Sequence, residues 1–203
     1  MSRIVTVKTE VLKFNELTEE GKEKAIEKLY NINVDHDWWD CEYDDFKQVA
    51  ACIGIEIDEI WFSGFSCQGD GACFEGTYEY QKGGLKAIKD YAPIDATLHQ
   101  IAKDLQEIQR KAFYGLTATI KHSGHYYHEY CTDITVYQRD SQGYKDDCAG
   151  IAIHESIEEE LRRFMRWMYK QLNKQYDYLT SKEAIVETIA ANDYEFTADG
   201  EIY

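Results

Sequence analysis

Hydrophobic and polar residues alternate from the start of the chain. In RIVTVKTEVLKF, Val5, Val7, Thr9 and Val11 fall on one side and Thr6, Lys8 and Glu10 on the other, which predicts a half-buried strand. The period then lengthens. Thr18 is placed to cap a helix whose first turn holds Glu19 and Glu20 and whose inward stripe is Ala25, Ile26, Leu29 and Tyr30. A second helix is expected from Asp44 to Ile53, ending at Gly54, and IEIDEIWF follows as a strand. Lys82, Gly83 and Gly84 break the pattern, and Pro93 marks a turn before a helix that begins at Asp95. That helix carries its apolar stripe on Leu98, Ile101, Leu105, Ile108 and Ala112.

Two strands, GLTATIKH and EYCTDITVYQ, should flank a short loop around Ser123 and Gly124. A helix is expected to start at Ser156, with Ser156 and Glu159 as a capping box and Ile157, Leu161, Phe164, Met165, Met168 and Leu172 as its apolar face. A last helix is read as capped by Thr180 with Glu183, before a hairpin at Asp199-Gly200. The pattern predicts one α+β domain over residues 1–203, with antiparallel strands and hairpins packed with about five helices. No repeat, low-complexity tract or linker interrupts it.

Composition sharpens the functional expectation. The chain carries 38 acidic and 22 basic side chains for a formal net charge of −16, which repels phosphates and favours basic partner surfaces. Direct duplex DNA binding is not expected. Its 44% apolar content is enough to build a core. No apolar run reaches the length of a bilayer span, so a membrane role is not expected either. Six cysteines without a secretory leader point to free thiols and a cytoplasmic location.

Four stretches carry candidate chemistry. In FSGFSCQGDGACFEG, Gly69 and Gly71 are read as positive-φ residues of a hairpin tip, with a loop from Gln68 to Ala72 setting Cys67 opposite Cys73. In KHSGHYYHEYC, a five-residue loop would make His122 and His128 cross-strand neighbours; with His125 they are metal candidates, though their spacing matches no established zinc pattern. HESIEEE lacks the second histidine of H-E-x-x-H. VDHDWWDCEYDD gathers Asp35, Asp37, Asp40, Glu42, Asp44 and Asp45 without a lysine or arginine among them, and lacks the glycine and terminal glutamate of a calcium loop. Trp38 and Trp39 beside these carboxylates make the segment the candidate partner-binding surface. No G-x-S-x-G elbow, P-loop or kinase signature occurs. The expectation is therefore of a protein with no catalytic residues, no metal and no cofactor.

The DWWD block, FSGFSCQGDGACFEG, the Tyr91-Ala92-Pro93 turn, HSGHYYHEY and YEFTADGEIY together resemble a family of small proteins encoded by tailed phages and prophages, some of them labelled antitoxin-like. The resemblance implies an accessory protein acting in the cytoplasm of an infected bacterial host. With the net charge, it suggests an acidic nucleic-acid mimic that binds and inhibits a host nucleic-acid-handling defence complex, such as a CRISPR effector. The alternatives are an antitoxin-like protein masking a basic toxin and a small metal-dependent or nucleotide-processing enzyme built on the histidine hairpin.

Overall fold

The stretch IEIDEIWF forms the expected strand: Ile55–Phe62 has Ile55 and Ile60 buried and Glu56, Asp58 and Glu59 exposed, with an irregularity between Ile57 and Glu59. The structure, a computed structural model, describes residues 3–4, 8–140, 143–145 and 151–203. Its elements in chain order are β1 (Leu12–Lys13), α1 (Glu19–Lys28), α2 (Asp40–Cys52), β2 (Ile55–Phe62), β3 (Ala72–Glu79), α3 (Gly84–Tyr91), α4 (Ala96–Lys111), β4 (Leu116–His122), β5 (Thr132–Asp140), β6 (Gly143–Lys145), α5 (Ile151–Leu179), α6 (Lys182–Ala191) and β7 (Glu195–Phe196). The class is α+β, with antiparallel pairing in both sheets. No helix among the described residues is long and apolar enough to cross a membrane.

The backbone groups into two compact units, residues 1–38 with 174–203 and residues 39–173. In the first, the Thr18 hydroxyl accepts the Gly21 N–H at 3.1 Å, as the sequence predicts for an N-cap. Ala25 and Leu29 of the expected stripe are buried with Leu17, Ile185, Ile189 and Phe196, while Tyr30 lies outside that core. Of the predicted opening strand, Leu12–Lys13 pairs with β7, and residues 8–11 are in no strand. Val5, Thr6 and Val7 lie outside the described residues. The cap of α6 is Ser181, whose hydroxyl accepts the Ala184 N–H at 3.2 Å. Thr180 instead donates to the Tyr176 carbonyl at 2.8 Å, so its hydroxyl is committed to the preceding helix. Gly200, at φ +84°, makes the expected terminal turn, where a Cβ would meet the Gly21 carbonyl at 2.4 Å.

The second unit holds the sheet β2-β3-β4-β5-β6. One face is apolar. It presents Ile60, Phe74, Tyr78, Leu116, Ala118, Ile120, Ile134 and Val136, against which the predicted α5 face of Ile157, Leu161, Phe164, Met165, Met168 and Leu172 is buried. Phe164 meets Phe74 edge-on at 6.1 Å and stacks on Trp167 at 5.4 Å, and Trp167 meets Phe46 of α2 at 5.4 Å. Asp95, where the helix is expected to begin, caps α4, accepting the Leu98 N–H at 3.0 Å, and its other carboxylate oxygen accepts the Trp167 indole N–H at 2.8 Å.

Three boundaries differ from expectation for local reasons. The α5 helix is already running at Ser156, whose hydroxyl donates to the Ala152 carbonyl at 2.7 Å, so Ser156 and Glu159 form no cap. The α2 helix starts at Asp40, because Trp39 enters it with helical φ and ψ and packs edge-on against Phe62 at 5.2 Å. Gly83 and Gly84 open α3 instead of ending structure: Gly83 takes φ +85° at the cap, and at Gly84 a Cβ would lie 2.8 Å from the Cys52 carbonyl oxygen.

Candidate interaction surface

Each candidate carboxylate can be placed on its own element. Asp35, Asp37 and Trp38 belong to the first unit, where both aspartates are exposed and Trp38 is half-buried, 6.0 Å from the ring of Tyr176. Trp39 and the later carboxylates belong to the second. Asp40 and Glu42 occupy the first turn of α2, where the positive end of the helix favours them. Asp40 and Asp44 are exposed one turn apart, and half-buried Asp45 accepts a short hydrogen bond from the Tyr91 hydroxyl. That bond pushes the Tyr91 phenol up to about 12.

Glu42 is held above the usual carboxylate range, chiefly by burial and then by the neighbouring Asp45 charge. The sign follows. Above the raised folded value the carboxylate is ionised in both states and the folded state is disfavoured; below the ordinary value of 4.5 it is protonated in both and the penalty is gone. Glu42→Gln should therefore stabilise the protein at neutral pH, by less than ~1 kcal/mol given its partial exposure. Thermal melting at neutral pH and near pH 3 checks this: the gain should vanish at the acidic end, and an equal gain at both would refute the charge origin.

The strands that follow extend the negative surface beyond the predicted segment. In the sequence, Lys47 is the one cation between residues 39 and 81. On the face of the sheet turned away from the helices, Glu59 stands directly opposite Glu75, and Glu56 opposite Thr77, across the irregularity between Ile57 and Glu59. Like charges directly opposite on paired strands disfavour folding by roughly 0.2–1 kcal/mol. Among the described residues no ion pair reaches Asp40, Asp44, Glu56, Asp58, Glu59 or Glu75. The arginines of α5 are engaged elsewhere. Arg162 pairs with Glu158 at 3.0 Å, Arg163 with Asp104 and Glu160 at 3.0 and 2.8 Å, and Arg166 with Glu159 and Glu129 at 2.5 and 3.5 Å. Alternation in IEIDEIWF signals that Glu56 and Asp58 point outward; Glu59 does so because of the irregularity after Ile57. The Glu59–Glu75 apposition depends on register and could not be read from spacing.

The other candidates come apart. The β2–β3 loop runs from Ser63 to Gly71, because Phe62 pairs with Ala72 and the Ser63 N–H donates to the Gly71 carbonyl at 3.0 Å. Asp70 shapes its tip, its carboxylate accepting the Ser66 and Cys67 N–H groups at 2.9 and 2.7 Å. Gly69 has the expected positive φ of +94°, but Gly71 does not: its glycine is demanded by His128, whose Cδ2 would lie 2.8 Å from a Cβ. Cys73 faces Trp61, not Cys67, which is exposed in the loop. Burial, with Cys131 and Glu75 nearby, pushes the Cys73 thiol up to about 12. Cys148 lies outside the described residues.

The histidines are likewise dispersed. His122 pairs with Thr132, so the β4–β5 loop covers residues 123–131 and His128 lies within it. The longer loop is closed by the Ser123 N–H on the Cys131 carbonyl at 2.8 Å and by Thr132 Oγ1 on the Glu129 carbonyl at 2.7 Å. His122 Nε2 lies 3.1 Å from the Tyr126 carbonyl, His128 Nδ1 lies 3.1 Å from a Glu129 oxygen, and His125 is exposed. Among the described residues no three His, Cys, Asp or Glu side chains are grouped to hold a metal ion.

Fold and surface together define an acidic α+β protein whose α2, β2 and β3 carry exposed carboxylates. The chain belongs to the family described as a domain of unknown function, DUF8835, whose model matches residues 38–182. No curated protein and no solved structure matches it.

Proposed function

We propose that the protein is an interaction protein that presents the carboxylates of α2, β2 and β3 to a basic, nucleic-acid-binding surface of a partner and so occupies it in place of nucleic acid. The observation that supports this reading is the asymmetry of charge pairing: the arginines of α5 are consumed by neighbouring carboxylates, while Asp44, Glu56, Asp58 and Glu59 are left to solvent. Such a surface generates the field that steers a basic groove toward it. Edge-strand protection accounts for acids on β2 alone. It does not account for Glu75, which stands opposite Glu59 on the adjoining inner strand and also accepts the His122 N–H at 3.0 Å. The resemblance to phage-encoded proteins favours a host defence complex as the partner, a guide-loaded CRISPR effector being the leading instance.

Titrating the protein into such an effector bound to labelled target duplex tests the reading. Displacement of duplex should weaken with added salt, and a variant with Asp44→Asn, Glu56→Gln, Asp58→Asn and Glu59→Gln should displace it about tenfold less well, with a shallower salt dependence. The variant should melt no lower than the parent, since removal of mutual repulsion does not cost stability. Failure of the parent to displace duplex, or equal potency of a folded variant, would overturn the proposal.

A further inference from the structure

The tyrosine- and histidine-rich loop of residues 123–131 gathers no metal-binding set, yet it forms an aromatic corner of the acidic face. Trp61, on that face beside the Glu59–Glu75 pair, lies 5.3 Å from the His122 ring and 6.2 Å from the Tyr127 ring, with Trp61 and Tyr127 stacked at 11°. His122 and Tyr127 are 5.4 Å apart. The corner is held in place. Glu75 accepts the His122 N–H at 3.0 Å, and the closing bonds of the loop fix its backbone. It is also open, since Tyr127 is 37% exposed and the neighbouring Tyr126 is 63% exposed.

We infer that this corner receives an arginine side chain of the partner, its guanidinium lying on the Tyr127 and Trp61 rings and its edge facing the carboxylates of Glu59 and Glu75. The inference rests on the acidic-surface reading and names the chemistry that anchors it. Rigid aromatic side chains are the usual centres of interfacial affinity, and arginine is their commonest cationic companion. A base could stack on the same rings. Its phosphates would then lie against Glu59 and Glu75, so charge decides for a cation. Geometry then decides which cation, because a planar guanidinium can stack and pair at once whereas an ammonium is a point charge. The loop already shows this chemistry within the chain: the Arg162 guanidinium carbon sits 5.7 Å from the centre of the Tyr130 ring.

Labelled oligo-arginine and oligo-lysine peptides of equal length, and a single-stranded oligonucleotide, titrated against the full chain at low salt, test the inference. Oligo-arginine should bind about 2- to 5-fold more tightly than oligo-lysine, the range expected of an exposed cation–π contact. Tyr127→Leu should abolish that preference while leaving oligo-lysine affinity unchanged, and Tyr127→Phe should retain it. Equal affinity of the parent for the two peptides would overturn the inference while sparing the acidic surface. So would a preference that persists in Tyr127→Leu, or tighter binding of the oligonucleotide than of either peptide. Binding of neither peptide would remove the acidic-surface reading and this inference together. Should Tyr127→Leu melt below the assay temperature, the parent's peptide comparison and Tyr127→Phe decide the matter.

Discussion

Gly54→Ala should destabilise the protein by about 4 kcal/mol or more, at the extreme of single-residue effects. Gly54 joins α2 to β2 at φ +84°, a conformation that costs a residue with a Cβ roughly 1–2 kcal/mol by itself. Steric contact costs more. An added Cβ would fall 1.9 Å from the Glu79 carbonyl oxygen and 3.1 Å from the backbone nitrogen of Gln81, and backbone cannot swing aside as a side-chain end can. Relief requires parting the ends of β2 and β3, where the Glu79 N–H donates to the Gly54 carbonyl at 2.9 Å and Ile55 pairs with Tyr78. Gly69→Ala is the control. Gly69 has φ +94° with nothing within 4 Å of the added atom, so backbone strain acts without a clash and the loss should stay near ~1–2 kcal/mol. Denaturant midpoints of the two variants, with the transition slope confirmed unchanged, measure the difference directly. Equal losses would mean that the close approach at Gly54 relaxes freely.

That junction shows what the sequence made legible. A glycine after an amphipathic run and before a stretch rich in isoleucine and aromatic residues leaves few local alternatives, and both the helix end and the strand limits follow. The cap at Thr18 was readable for the same reason, since it acts on an N–H three residues away, and the helix start read at Asp95 proves to be a cap of the same kind. What failed was whatever depends on distant partners. Ser156 and Glu159 match a capping box, but the helix is running before them, so the serine turns back on Ala152. Gly83-Gly84 reads as a break until the Cys52 carbonyl explains why the helix start must be bare. The loop limits around Cys67 and His128 follow from strand register, and a changed register alters which side chains meet. The site was half legible on the same logic. The acids of α2 are visible in the sequence; the outward Glu59, its apposition to Glu75 and the Trp61–Tyr127 stack belong to register and to a loop closed by Thr132.

Gln109 is the residue that local pattern hides most completely, and Gln109→Leu should cost about 3 kcal/mol through unpaired polar groups. It lies on the buried stripe of α4, fully enclosed, where periodicity alone calls for an apolar residue. Its side chain closes the α4–β4 turn: Nε2 donates to the Leu116 carbonyl at 2.8 Å and to the Tyr78 hydroxyl at 3.2 Å, and Oε1 accepts the Leu116 N–H at 3.2 Å. The turn is strained as well, since Phe113 and Tyr114 sit at φ 53° and 60° without being glycine, and the Tyr114 N–H donates to the Gln109 carbonyl at 2.7 Å. Leucine nearly matches the volume, so little of the loss should come from packing. It would leave the Leu116 N–H and C=O and the Tyr78 hydroxyl buried without partners. A second readout separates this cause from a cavity. Burial already pushes the Tyr78 phenol up to about 12, with the Gln109 donor opposing that shift, so removing the donor should move it higher still. Alkaline spectrophotometric titration together with chemical denaturation tests both. A stability loss below ~1 kcal/mol would show that the turn finds other partners for Leu116, because even one stranded buried group carries a penalty of about that size.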